Sequence, residues 1–335
     1  MDHDVLGLIK FKNRDLIRDL AGEIPSDELL KQWTSQLGCD QATFLLYEAI
    51  LNSLEQKNFI DFVYHQKLDQ ARSVFKNPIE IWIISSSNES LIPWGAHVDV
   101  LKSYVSEQGF QAFELVTFSD NNLMQNARLI GETIQASHTK KIIVSFGRGS
   151  LEMSLAAKLN EKNKFFDLHS VGAWINIAGS VSGSELVDKT LTSPFFKLHA
   201  KIKSFWKREY LHNLLMASKT NATWRSGFSS LKHAISISML PICFEKHIPV
   251  YYKNSFQRLR SLGPNDSQNL TTDQIIRPGF IYPLWGKPLI DEVDIIKQDF
   301  LRVIIATENL LNQRQSVDFL REPESLTHVQ TRAEY

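Results

Sequence analysis

Lys140-Lys141-Ile142-Ile143-Val144-Ser145-Phe146-Gly147-Arg148-Gly149-Ser150-Leu151-Glu152-Met153-Ser154-Leu155-Ala156-Ala157-Lys158-Leu159 is the stretch whose reading decides the fold. It begins as an apolar, β-branched run, Ile142 to Val144. It then narrows to small residues, Ser145 to Ser150, around Phe146 and Arg148. Leu151, Met153, Leu155, Ala156 and Leu159 follow in a helical pattern. Strand, tight turn and helix succeed one another without a loop. Such a turn sets its apex residue on the rim of a parallel sheet, at the positive end of a helix.

Working outward, similar strand signals lie on both sides. Ile79 to Ile84 is β-rich and ends in Ser85-Ser86-Ser87-Asn88, and Phe113 to Thr117 gives a second strand. Ile142 to Ser145 is the third and Val171 to Ala178 the fourth. Ile248 to Tyr252 and Gly279 to Leu284 read as the fifth and sixth. Amphipathic helices fall around Val98 to Val105, Asn121 to Ala136 and Asp291 to Leu311. Apolar strands alternating with helices predict a mostly parallel sheet flanked by helices, an α/β fold. Ligands in such sheets sit at the carboxyl ends of the strands.

Residues 1–76 read as a helical N-terminal extension, with Ser26 or Asp27 capping one helix and Asp40 opening another. It is expected to pack on the sheet domain or to meet a protein partner. The sheet domain spans 77–314. A stretch at about 185–246 breaks the alternation and reads as a helical cap over the rim. Residues 315–335 form a polar tail. Within the cap, Phe195 to Arg208 alternates aromatic and basic residues, the pattern of a lid helix or of a helix whose lysine stems lie over apolar neighbours.

Composition narrows the function. Lys+Arg and Asp+Glu are 37 each in 335 residues, so no net field draws nucleic acid or an anionic membrane. Cys39 and Cys243 show no CxxC spacing, and no His/Cys/Asp cluster has metal-ligand spacing, so neither metal nor cofactor is expected. The acidic start, Met1-Asp2-His3-Asp4, lacks a signal-peptide pattern. No apolar run approaches the ~20 residues of a membrane span. The expected location is cytoplasmic.

Several landmarks together resemble the α/β-hydrolase family, in particular its lipase-like bacterial members. Val144 to Ala156 is similar to the family's strand–GxSxGG–helix. Ile177 to Asp188 resembles a strand that ends in a small-residue loop, then Gly-Ser, then an apolar run closing on Asp. Gly263-Pro264-Asn265-Asp266-Ser267 falls where the family keeps its acid. Pro278 to Gly286 resembles the last strand, which leads to the catalytic His. The resemblance covers about residues 78–312 and implies an ester hydrolase that needs a nucleophile, a base and an acid.

Laid on that pattern, Ser145 takes the first glycine position, Gly149 the last, and the nucleophile position falls on Gly147. No His follows the last strand before His328, which lies in the polar tail. Of the three catalytic positions, only Asp266 keeps usable chemistry. The resemblance therefore implies a hydrolase-like protein that has lost catalysis and binds a small acyl or lipid-like ligand or a protein. Ser85, Ser86, Phe146, Arg148 and Ser180 are then the candidate ligand-binding residues. The alternative is an active serine esterase or lipase with Ser145 as nucleophile and a His from the cap. A third reading is a structural protein whose own cap fills the rim. Gly147-Arg148-Gly149-Ser150 at a helix start also suits phosphate, but Glu152 stands where a dinucleotide fingerprint needs glycine.

Overall fold

The computed structural model describes residues 15–68, 79–86, 94–118, 122–193, 208–225, 228–286 and 293–321. Glu80–Ser86 (β1), Gln111–Thr117 (β2), Lys141–Phe146 (β3), Val171–Ile177 (β4), Ile235–Ile242 (β5) and Phe280–Trp285 (β6) form one parallel sheet in the order β2-β1-β3-β4-β5-β6. β3 and β4 lie in the middle and are buried at every position. That is why both read as unbroken apolar runs.

Alternate residues of the strands serve two cores. Ile142 and Val144 join Ile81, Ile83 and Ile175 on one face. There they meet helices Leu54–Tyr64 (α3), Trp94–Glu107 (α4) and Val293–Arg321 (α9). Ile143 joins Ile84 and Trp174 on the other face. Helices Leu123–Gln135 (α5) and Gly147–Asn163 (α6) cover that side. The chain runs outward from β1 to β2 and then returns to place β3 on the other flank of β1. This reversal opens a crevice between the carboxyl ends of β1 and β3, where an open α/β sheet takes its ligand. The turn at Gly147 sits at that crevice.

Residues 15–68, the described part of the N-terminal segment, are mainly helical. Ser26 caps helix Asp27–Leu37 (α1), its hydroxyl accepting from the Leu29 N–H at 3.2 Å. Cys39–Asn52 (α2) and α3 follow. Trp33, Phe44, Leu45 and Ile50 pack on Leu240, Ile242 and Ile281, so these helices cover the β5–β6 flank of their own sheet.

Two expectations are corrected. The fifth strand is Ile235–Ile242, inside the stretch read as cap, and not Ile248 to Tyr252. β5 hides its signal because serines alternate with its apolar residues and Pro241 interrupts it. Ile248 to Tyr252 has strand-like composition, but Pro249 starts a 3-10 turn there, Val250–Tyr252, with Val250 81% exposed. The last helix also runs past Leu311 to Arg321, into the stretch expected as polar tail. Half of its added residues, Gln313, Arg314, Gln315, Leu320 and Arg321, are good helix formers.

The excursion after β4 is therefore shorter than 185–246. Ser184 and Ser218 pair as a bridge, the Ser184 N–H donating to the Ala217 carbonyl at 2.8 Å. Between them come Glu185–Thr192 (α7) and Arg208–Ala217 (α8). The aromatic-basic pattern up to Lys207 lies outside the described residues. So does His328.

Candidate functional site

β3 passes into α6 with no intervening loop. Phe146 is the last extended residue, at φ −130, and Gly147 bends the chain at φ +45. A side chain is strained at that φ, and glycine accepts it at no steric cost. A Cβ built on Gly147 meets nothing within 4 Å, so the apex faces open space. Gly149 has a different reason to be glycine. A Cβ there would lie 3.0 Å from the Ile84 carbonyl oxygen, where α6 touches β1.

Ser145 lies beneath the helix rather than on the rim. It is fully buried, and its Oγ accepts from the Trp174 indole Nε1–H at 2.9 Å and from the Ser150 hydroxyl at 3.0 Å. The Ser150 hydroxyl in turn fills the place a Cβ on Gly179 would need, which ties α6 to the loop after β4. Among the described residues no imidazole bonds to either serine.

The other candidates are distributed as follows. Arg148 turns along its own helix and binds Glu152, Nε to Oε1 at 2.7 Å. Asn126 donates to the same oxygen at 2.7 Å. Burial raises the Glu152 carboxyl above its usual range, against the pull of Arg148 and of hydrogen bonds from Thr117 and Asn126. Phe146 belongs to the core of one sheet face. The Ser180 hydroxyl donates to the Gly183 carbonyl. Ser85 and Ser86 end β1, and their side chains lie outside the described residues. Both cysteines are buried and free, and burial, then Asp40, pushes the Cys39 thiol up to about 12. A thiol held protonated is a poor nucleophile.

Asp266 is 5% exposed on a loop laid over the end of β4. Its Oδ1 accepts from the Gln268 and Asn269 N–H groups at 2.8 and 2.7 Å, and its Oδ2 from Gln274 Nε2 at 3.0 Å. Both oxygens thus staple the loop that carries them. Burial pushes the carboxyl up to about 6, with those hydrogen bonds pulling the other way. Asn176, at the end of β4, anchors the same loop by donating to the carbonyls of Gly179 and Gln274, both at 2.7 Å.

Two arrangements had no periodic signal in the sequence. The His247 ring lies against Gly286, directly after the last strand. A Cβ on Gly286 would be 3.3 Å from its Cε1. His247 also meets Phe244 edge-on, with ring centroids 5.4 Å apart. Burial, then Lys246, lowers its pKa, and Asp40 opposes them. The second is an ion cluster around the buried Asp273. Lys219 Nζ lies 2.6 Å from Asp273 Oδ1 and 2.5 Å from Asp27 Oδ2, and Lys31 pairs with Glu185 at 2.8 Å. Acid and base on α1 thus face base and acid at the two ends of the excursion.

Among solved structures, the chain is similar to a metagenomic carboxyl esterase, MGS0156, with TM-score 0.50 and 15% identity over 73% of this chain and 81% of that one. The fold is that of the α/β hydrolases. Mature Bacillus licheniformis lipase BlEst2 matches at TM-score 0.46 and 13% identity, over 73% of this chain and 96% of that one. No protein-family model and no curated protein matches the chain. Among the described residues, no helix of this hydrolase fold is long and apolar enough to cross a membrane. The fold alone does not assign chemistry; the site must.

Proposed function

We propose that this α/β-hydrolase-fold protein lacks serine-hydrolase catalysis and binds a small acyl or lipid-like ligand at the carboxyl end of its sheet. The observation that carries the reading is Gly147. The apex where the fold presents a nucleophile holds bare backbone at φ +45, with open space above it. The N–H groups of the helix start remain there to receive a carbonyl or carboxylate. The alternative, Ser145 as nucleophile, is disfavoured by its burial and by the Trp174 and Ser150 hydrogen bonds to its oxygen. The carboxyl esterase among the similar structures is compatible with an acyl group as the ligand class.

Gly147→Ser tests this. A hydroxyl returns to the apex, but among the described residues no side chain lies within 4 Å of a Cβ there to take its proton, so turnover of p-nitrophenyl esters should stay at background. The variant should also lose about 1–3 kcal/mol of stability, because a side chain is strained at positive φ. Ester hydrolysis above background in this variant would mean that a base stands in reach, and would overturn the reading.

A further inference from the structure

Beside the carboxyl ends of β5 and β6 the chain holds an apolar tip away from its core. Val250 is 81% and Tyr251 64% exposed, in the 3-10 turn Val250–Tyr252. The turn is anchored on both sides. Ile248 before it and Phe256 after it are buried with Cys39 and Cys243, and Tyr252 packs on the same cluster. Asp40, on α2, accepts the Glu245 N–H at 3.0 Å, and the Gly286 N–H, directly after β6, donates to the Ile242 carbonyl at 2.9 Å. The tip therefore projects a valine and an aromatic ring at the same end of the sheet as Gly147.

Single exposed apolar residues are ordinary on a protein surface. What sets this tip apart is the charge around it. From Lys246 to Asn265 the chain carries Lys246, Lys253, Arg258 and Arg260 and no Asp or Glu, in a protein whose formal charge is zero. All four basic residues are exposed. The Lys253 N–H donates to the Val250 carbonyl, so the two residues stand one 3-10 turn apart on one side of the tip. Lys189 adds a further ammonium, reaching the Arg258 carbonyl and the Ser261 hydroxyl. The acid that precedes the stretch, Glu245, is taken by Arg260 at 3.1 Å and by Gln257 at 2.8 Å. Among the described residues no carboxylate pairs with Lys246, Lys253 or Arg258.

We propose that this tip seats the protein on an anionic lipid surface, with Val250 and Tyr251 entering the headgroup layer and Lys246 and Lys253 meeting lipid phosphates and carboxylates beside them. Tyrosine suits that boundary, because its ring is apolar and its hydroxyl stays with water. Apolar insertion and cationic attraction add in such binding. Zero net charge excludes a global field but not this local one, which acts within a Debye length, ~8 Å at physiological salt. The proposal stands apart from the ligand read at Gly147: lipid binding at the tip needs no occupant in the crevice.

Co-flotation of the full chain with vesicles tests it, using phosphatidylcholine alone and phosphatidylcholine mixed with an equal part of phosphatidylserine. The chain should float with the mixed vesicles, far less with phosphatidylcholine alone, and should be released as salt is raised. The double change Val250→Ser and Tyr251→Ser should weaken partitioning by roughly tenfold, the scale of withdrawing a buried ring. Lys253→Gln should weaken it by roughly fivefold, the scale of one basic residue near such a surface. Leu54→Ser should leave it unchanged. Leu54 is 73% exposed, but it stands at the start of α3, where Gln56 bonds the Gly279 carbonyl before β6, at the other end of the sheet. Each changed side chain is exposed, so the variants keep the fold, and salt release reads the same contact without any substitution. Equal flotation with both vesicles, flotation untouched by the Val250 and Tyr251 changes, or an equal loss in Leu54→Ser would overturn the proposal. So would a dimer in light scattering that the Val250 and Tyr251 changes dissolve while the parent chain does not float, since a second copy would then cover the tip.

Discussion

Lys219→Met should lower the stability of the fold by about 3 kcal/mol in urea unfolding near neutral pH, the scale of leaving a buried charge without its partner. Asp273 is fully buried and Lys219 is its ion-pair partner, while Asp27 brings α1 to the same ammonium. Burial alone would lower the Lys219 pKa, but Asp273 and Asp27 and the hydrogen bonds to them raise it, so the ammonium stays charged. Removing it strands the Asp273 carboxylate, whose other oxygen accepts the Glu185 N–H at 3.2 Å. Adding Asp273→Asn to the Met variant should recover most of the loss. A double variant as unstable as the single one would show that the lost methylene packing, not the stranded charge, was the cause.

A second large effect concerns pH. Asp266 sits at about 6 in the folded protein against an ordinary 3.8, because burial outweighs its hydrogen bonds. The protonated form is therefore favoured by folding. This contribution to stability is full below about pH 4 and is lost as pH rises through 6. Two pKa units correspond to about 3 kcal/mol. Asp266→Asn removes the titration while keeping an oxygen for the Gln268 and Asn269 N–H groups. Gln274 Oε1 has no hydrogen-bond partner among the described residues. A turn of that amide would present it to the new NH₂ group. The variant should match the parent at pH 4 and exceed it by about 2–3 kcal/mol at pH 8, as the same linkage requires. Denaturation curves that differ equally at both pH values would refute the assignment.

The sequence made the centre of the sheet legible and blurred its flank. β3 and β4 are buried on both faces, so their β-branched runs could be read directly. β5 could not: Ser238 uses its hydroxyl to accept the Ile276 N–H at 2.9 Å, and a serine with that buried duty looks polar in sequence. The bend at Gly147 was legible because small residues cluster between a strand and a helix. The fate of Ser145 was not, since only the folded chain brings Trp174 from the next strand onto its hydroxyl. The same holds for Lys219, which meets partners 54 and 192 residues away. Charges that distant leave no periodic trace.

The claim that the apex has lost its nucleophile is tested most directly by labelling the purified full chain with a fluorophosphonate probe and locating any adduct by mass spectrometry. The account predicts no specific adduct, with Ser145 and Ser150 unmodified in the folded protein. A stoichiometric adduct on Ser145 that disappears in Ser145→Ala would contradict it.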